Sequence, residues 1–185
     1  MRREYDTAIV AGRFAIVHNG HESLFNTGLA MAKRLLILVG SAQEVGTERN
    51  PFDVYTRIKM IKEIYPDDNV IVRPLSDLTH EDDLTPDWGK FVLDNIKHHI
   101  YKLPDLMVYG NDEARSKWFD PEDIKDITEV IVSRSRNKIS GTEMRELMVQ
   151  DNREEWFKHH NPMIHEYYDM LRGQLMSVDY YKRQG

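Results

Sequence analysis

Short continuous apolar runs alternate with segments of helical period along this chain, and that alternation constrains its fold more than any other feature. Thr7-Ala8-Ile9-Val10-Ala11 stops at Gly12, the pattern of a strand covered on both faces. From Asn19 to Arg34, Leu24, Phe25, Leu29 and Met31 recur at near-helical spacing, and Leu35 to Val39 then reads as a second buried strand closed by Gly40. Phe52 to Tyr65 places Ile58, Ile61, Ile64 and Tyr65 on one helical face, and Pro66-Asp67-Asp68-Asn69 ends it. Val70-Ile71-Val72, Leu106-Met107-Val108-Tyr109 and Glu129-Val130-Ile131-Val132 read as further strands, and Pro86 to His99 as a helix with proline in its first turn. Strands joined by crossover helices demand a parallel sheet. The expectation is an α/β, Rossmann-like, doubly wound parallel sheet of about five strands over residues 1–150, followed by a C-terminal helical segment over 151–185, all in a single domain spanning 1–185. In that last segment Glu154 to Met176 is helical in composition, Asn161-Pro162 interrupts it, and the polar stretch after Ser177 is expected to fray.

Ligands of such sheets sit beyond the carboxyl ends of the strands. Two segments at those positions carry chemistry. The first is Gly12-Arg13-Phe14-Ala15-Ile16-Val17-His18-Asn19-Gly20-His21. If a helix begins near His18 or Asn19, His18 and His21 share one face at its start, where the helix dipole and open amides attract anions. Gly12 and Gly20 let a ligand approach the backbone, and Arg13 supplies a planar fork for phosphate. A zinc fragment is the competing use of a His-x-x-His pair, but no third ligand follows in the usual pattern, because Glu22 adjoins His21 and points elsewhere on a helix. The second segment is Ile139-Ser140-Gly141-Thr142-Glu143-Met144-Arg145, where a hydroxyl residue followed three later by Glu marks a capping box. Ser140 as cap leaves the Gly141 and Thr142 amides and the Thr142 hydroxyl open to an oxyanion, with Arg145 one turn further on.

Composition limits what these anion sites can serve. A net charge of −6 argues against a sequence-independent grip on nucleic acid, so the phosphate ligand is a small one held locally. No run approaches the roughly 20 apolar residues of a membrane span, and the N-terminus leads into a strand without an apolar signal region. Zero cysteines exclude disulfides and thiolate metal sites and suit a cytoplasmic enzyme.

Together the two segments resemble the paired signatures, His-x-Gly-His and Ile-Ser-x-Thr-x-x-Arg, of the nucleotidyltransferase superfamily that includes nicotinamide-nucleotide, pantetheine-phosphate and cytidylyl transferases. Within it, Gly40-Ser41-Ala42-Gln43, Asn50-Pro51-Phe52 and Arg57 resemble the archaeal-type nicotinamide-nucleotide adenylyltransferases, as does Arg13 in the first signature. Tyr109-Gly110-Asn111 resembles the group's Tyr-Ser-Gly-Asn, and Trp88 takes the place of a tryptophan on the nicotinamide side. The resemblance implies adenylyl transfer from ATP, carrying Mg²⁺, to nicotinamide mononucleotide, giving NAD and pyrophosphate. It makes His18, His21, Arg49 and Arg145 catalytic, and gives ATP to Gly12, Arg13, Phe14, His18, Gly20, His21, Asn111, Ser140, Gly141, Thr142 and Arg145. The second substrate falls to Ser41, Gln43, Arg49, Arg57, Asp77 and Trp88, with no resident metal. It also implies a homo-oligomer.

Several of these residues have a plainer use. Arg57 stands four after Asp53, an ion-pair spacing; Trp88 suits a core; Pro51 and Phe52 suit a helix start. The tyrosines at 167, 168, 180 and 181 fit either an interface or a packed helix. Three departures from the group stand out, one of them the loop Ser76 to Pro86, which is acidic and longer than usual. Ala15-Ile16-Val17 replaces Gln-Pro-Phe, which predicts a less rigid turn lacking one polar contact, and Thr56 replaces Glu before Arg57. Alternatives are transfer to another phosphorylated acceptor such as phosphopantetheine, or nucleotide binding without catalysis.

Overall fold

Side chains alternate between two apolar clusters along each central strand, and this alternation fixes where every helix must lie. In the computed structural model, which describes residues 4–78, 86–110, 118–133 and 139–183, strands β1 (Tyr5–Gly12), β2 (Ala32–Val39), β3 (Val70–Pro74), β4 (Leu106–Gly110) and β5 (Thr128–Val132) form one sheet in the order β3-β2-β1-β4-β5. Every pairing is parallel. Ala8, Val10, Leu35, Ile37, Leu106 and Val108 face one cluster, closed by Phe25 of α1 (Asn19–Met31) and by Val54 and Ile61 of α2 (Val54–Ile64). Ile9, Leu36, Leu38, Met107 and Tyr109 face the other, closed by Val92, Leu93 and Ile96 of α3 (Pro86–Ile100). Burial on both faces is why the strand sequences read as unbroken apolar runs. A short α4 (Pro121–Ile124) precedes β5.

The chain runs outward from β1 in both directions, to β2 and β3 on one side and to β4 and β5 on the other. The crevice of a doubly wound sheet therefore opens at the carboxyl ends of β1 and β4.

Two boundaries differ from expectation. The first helix ends at Met31, not Arg34, and β2 follows without a loop. Tyr5 at the start of β1 pairs with Ala32, and Arg34 donates to Asp6 at 2.8 Å, so strand pairing claims residues whose composition also suits a helix. The stretch after Ser177 does not fray. Helices α5 (Gly141–Val149), α6 (Arg153–Lys158), a 3₁₀ helix (Pro162–Tyr167), α7 (Tyr168–Ser177) and α8 (Asp179–Lys182) build a third cluster, and Val178 and Tyr181 are buried in it. Trp156, Tyr168 and Leu171 lie at its centre beside Ile16, Phe52 and Met60 from the N-terminal half. The C-terminal segment is thus packed against the first signature. Among the described residues no helix is long and apolar enough to cross a membrane.

Candidate active site

At the end of β1 the chain turns sharply, and its first glycine makes the turn compact. Phe14 adopts a left-handed backbone (φ 47°), and a Cβ on Gly12 would lie 2.7 Å from Phe14 Cζ. The buried Phe14 ring meets Phe25 edge-on at 5.1 Å and His21 at 5.0 Å. Ile16 enters the C-terminal cluster and Val17 the sheet cluster, so burial on two sides holds the turn where a proline ring would otherwise stiffen it.

His18 is the N-cap of α1, and its Nδ1 accepts from the Gly20 amide at 3.2 Å. With Nδ1 accepting, the neutral ring carries its proton on Nε2. The His18 and His21 rings stack at 3.8 Å, 23° from parallel, with His18 buried and His21 half-buried at the rim. Two imidazolium charges at that separation would repel. The start of α1 is braced from far away. Asn19 donates its amide to His159 O (2.9 Å) and its side chain to Lys158 O (3.2 Å), while Asn161 donates to Glu22 at 2.9 Å.

The second signature forms the capping box its sequence specifies. Ser140 Oγ accepts from the Glu143 amide, and the Glu143 carboxylate accepts from the Ser140 amide at 2.7 Å. Hydrogen bonds from Ser140 hold the Glu143 carboxyl below the usual range, with smaller contributions from His159 and His18. Arg145 is buried and donates through Nη2 to Thr142 Oγ1 (3.1 Å) and through Nε to the Tyr181 hydroxyl (2.7 Å). The signatures are neighbours: a Cβ on Gly20 would lie 4.0 Å from Ile139 O. His18, Gly20, His21, Ser140, Gly141, Thr142 and Arg145 therefore belong to one place, where two helices begin.

Arg57 has a different position from the one its expected substrate contact requires. Only 1% exposed, it donates to Arg13 O (2.9 Å), Gly40 O (2.8 Å) and Ser41 O (3.1 Å), tying together the chain ends of β1 and β2. Its partners are backbone carbonyls of the site, not solvent-facing space. Burial lowers its pKa to about 10, with Asp53 and Asp77 opposing the shift, so it stays charged at neutral pH. Thr56 has a structural use as well, since its amide and hydroxyl both donate to the capping carboxylate of Asp53. Ser41, Gln43 and Asp77 come together: Ser41 Oγ donates to Asp77 at 3.3 Å, and Gln43 pairs with Asp77 through both its amide atoms (2.9 and 3.1 Å). Arg13 and Arg49 are half-buried near this edge. Trp88 is buried at the start of α3, with Phe91 at 5.6 Å and Trp118 at 6.1 Å. Asn111, and most of the acidic loop before Pro86, lie outside the described residues.

Two residues behind the site were not among its expected members. Tyr181 is one: of the two uses expected for it, an interface or a packed helix, it is packed in the C-terminal cluster. His160 is the other. It is 3% exposed, stacked on Trp156 at 3.6 Å, with Nδ1 2.7 Å from Trp156 O and its ring edge-on to His18 at 6.5 Å. The carbonyl requires a proton on Nδ1, and Nε2 finds no hydrogen-bond partner among the described residues. Burial pushes its pKa down to about 3, with the Trp156 carbonyl opposing and His18, His159 and His165 adding to the shift. A base whose folded pKa lies below its unfolded value is stable when neutral and binds an extra proton on unfolding. Stability is therefore expected to fall as pH drops from about 6.5 toward 3, and the His160→Phe variant to lose close to one proton from that linkage. Urea unfolding at a series of pH values measures both slopes; equal slopes would show that His160 is not the acid-sensitive group.

The cytidylyltransferase-like family matches over residues 9–147, a span that includes both signatures. A nicotinamide-nucleotide adenylyltransferase of Archaeoglobus fulgidus is 29% identical over 161 residues, covering 82% of this chain and 84% of the relative. One from Methanolobus tindarius is 30% identical over 152 residues, covering 80% and 79%. A bifunctional NMN adenylyltransferase/ADP-ribose pyrophosphatase of Francisella tularensis, solved with AMP and a manganese ion, superimposes with a TM-score of 0.71 at 21% identity. It shares the fold over 97% of this chain, which spans about half (51%) of that longer protein. Both signatures lie within a match of that extent, and the chain belongs to the cytidylyltransferase-like family, among its nicotinamide-nucleotide adenylyltransferases.

Proposed function

We propose that this protein transfers the adenylyl group of ATP to nicotinamide mononucleotide, forming NAD and pyrophosphate. The observation that carries the reading is the convergence of two helix starts, one bearing His18 and His21 and the other Ser140, Thr142 and Arg145, beside the carboxyl edge of β1. The relatives' activity agrees with that arrangement.

The acceptor's 5′-phosphate oxygen attacks the α-phosphorus of ATP in line. The bond from that phosphorus to the α,β-bridging oxygen breaks, and its electron pair leaves with pyrophosphate. The attacking group is already an anion, so no side chain need act as nucleophile, and catalysis consists of positioning and charge neutralisation. His18 Nε2–H and His21 hold the α- and β-phosphates as charge builds on the leaving group. Arg13, Thr142 and Arg145 take the triphosphate tail, helped by the open amide at Gly141. Arg49 clamps the remaining phosphate, and Ser41, Gln43, Asp77 and Trp88 receive the acceptor. Arg57 acts from behind by fixing the Arg13, Gly40 and Ser41 carbonyls. Magnesium enters as part of the ATP substrate, through phosphate oxygens and water, and neutralises part of the triphosphate charge.

Pyrophosphate release tests the reading. The protein is incubated with MgATP and, separately, nicotinamide mononucleotide, phosphopantetheine or a phosphorylated alcohol. Release with nicotinamide mononucleotide is expected, with NAD as the co-product. Release with a different acceptor alone would reassign the second substrate, and no release with any would make the protein a binder of nucleotides.

A further inference from the structure

The Tyr181 hydroxyl stands between the two cationic arms of the site. It accepts from Arg145 Nε at 2.7 Å and donates to the backbone carbonyl of Glu48 at 2.7 Å. Glu48 precedes Arg49 in the loop between β2 and α2. Inside that loop, the Thr47 amide donates to Asn50 O, and the Asn50 amide to Thr47 Oγ1. Those bonds shape the loop but do not place it against the rest of the molecule. The Glu48–Tyr181 bond does, across 133 residues of sequence. The tyrosine is itself immobilised, at 3% exposure in the C-terminal cluster with Met148, Leu175 and Val178.

We propose that Tyr181 is a positioning residue for the triphosphate: through one hydroxyl it fixes the plane of the Arg145 guanidinium and ties the Arg49 loop to it. Arg145 is held at two points, Nε on Tyr181 and Nη2 on Thr142, and two points on a planar group set its orientation. The hydroxyl can serve both partners only as a neutral group, donating to one and accepting from the other. Burial favours the neutral form and raises its pKa, against the pull of Arg145. The bond between α8 and Arg145 thus converts the packing of the C-terminal helices into the alignment of a phosphate ligand. This inference rests on the reading of Arg145 as a ligand of the β- and γ-phosphates.

The Tyr181→Phe variant keeps the ring and its packing and removes only the hydroxyl. Binding of MgATP and of AMP to the full chain, without acceptor, is measured by calorimetry. The variant is expected to bind MgATP roughly tenfold more weakly, the effect of losing one charged hydrogen bond, while AMP affinity stays within about twofold because AMP lacks the phosphates that Arg145 holds. In steady state the KM for ATP rises and the KM for the acceptor does not. In an Arg145→Lys background the same change adds little, because the group through which Tyr181 acts is already gone. Equal weakening of MgATP and AMP, or full additivity with Arg145→Lys, would overturn the proposal and leave Tyr181 a packing residue. If the wild-type chain binds no MgATP, the adenylyl-transfer reading fails first; if it binds MgATP and Tyr181→Phe binds it equally well, only the positioning role fails.

Discussion

Replacing His21 with alanine is expected to lower kcat by at least roughly tenfold, and toward the 100-fold typical of losing one donor to a developing oxyanion. The two imidazoles differ in exposure and in what they hold. His18 is buried and commits Nδ1 to the Gly20 amide. His21, stacked on His18 at 3.8 Å, is the more exposed of the two rings, and in the proposed reaction it donates to the charge growing on the leaving group. An interaction that strengthens only as pyrophosphate leaves appears in kcat more than in KM. The fold should survive the change, because the side chain that caps α1 is that of His18. Steady-state kinetics with far-ultraviolet circular dichroism as a control decides the matter: a folded variant with unchanged turnover removes His21 from the mechanism.

The second large effect is on stability. Arg57→Leu is expected to cost about 3–5 kcal/mol, because three carbonyls lose hydrogen bonds from a charged donor, worth about 1.5–3 kcal/mol each before relaxation. Leucine fills much of the volume but leaves the Arg13, Gly40 and Ser41 carbonyls without the donor that joins them. A buried acceptor deprived of its partner loses about 1–3 kcal/mol, and the three are close enough to relax together rather than add fully. Arg57→Lys should fall between, since one ammonium keeps the charge but cannot span three carbonyls in a plane. Urea unfolding gives the difference directly. A loss below about 1 kcal/mol in the leucine variant would mean that water reaches those carbonyls and that the arginine is not what joins β1 to β2.

Features that depend on near neighbours in sequence were legible before the structure. The central strands were readable because both faces are buried, and the Ser140–Glu143 capping box because its two partners are three residues apart. The first signature was readable for the same reason, as a strand end, a glycine turn and a histidine pair in one stretch. Arg57 shows where such reading stops. Helical spacing pairs it with Asp53, whereas its strong bonds go to carbonyls 44, 17 and 16 residues away. Ala32 to Arg34 show another limit, because register with β1 overrides a helix-compatible composition. Tyr181 was legible as a packed or interface tyrosine, but its bond to Arg145 was not, because the two lie 36 residues apart. The departure Ala15-Ile16-Val17 likewise acquires meaning only once the two clusters that receive Ile16 and Val17 are known.

The start of α1 has a bearing on the order in which this molecule assembles. The side-chain bonds from Asn19 to Lys158 and from Asn161 to Glu22 each span 139 residues. Contacts of that separation close late, because the chain entropy of so long a loop must be overcome first. The histidine signature lies far ahead of α6 in sequence, yet its helix has a finished beginning only after α6 has folded and docked. Nucleotide binding therefore reports docking of that C-terminal segment, and ligand present during refolding stabilises the last step rather than the first.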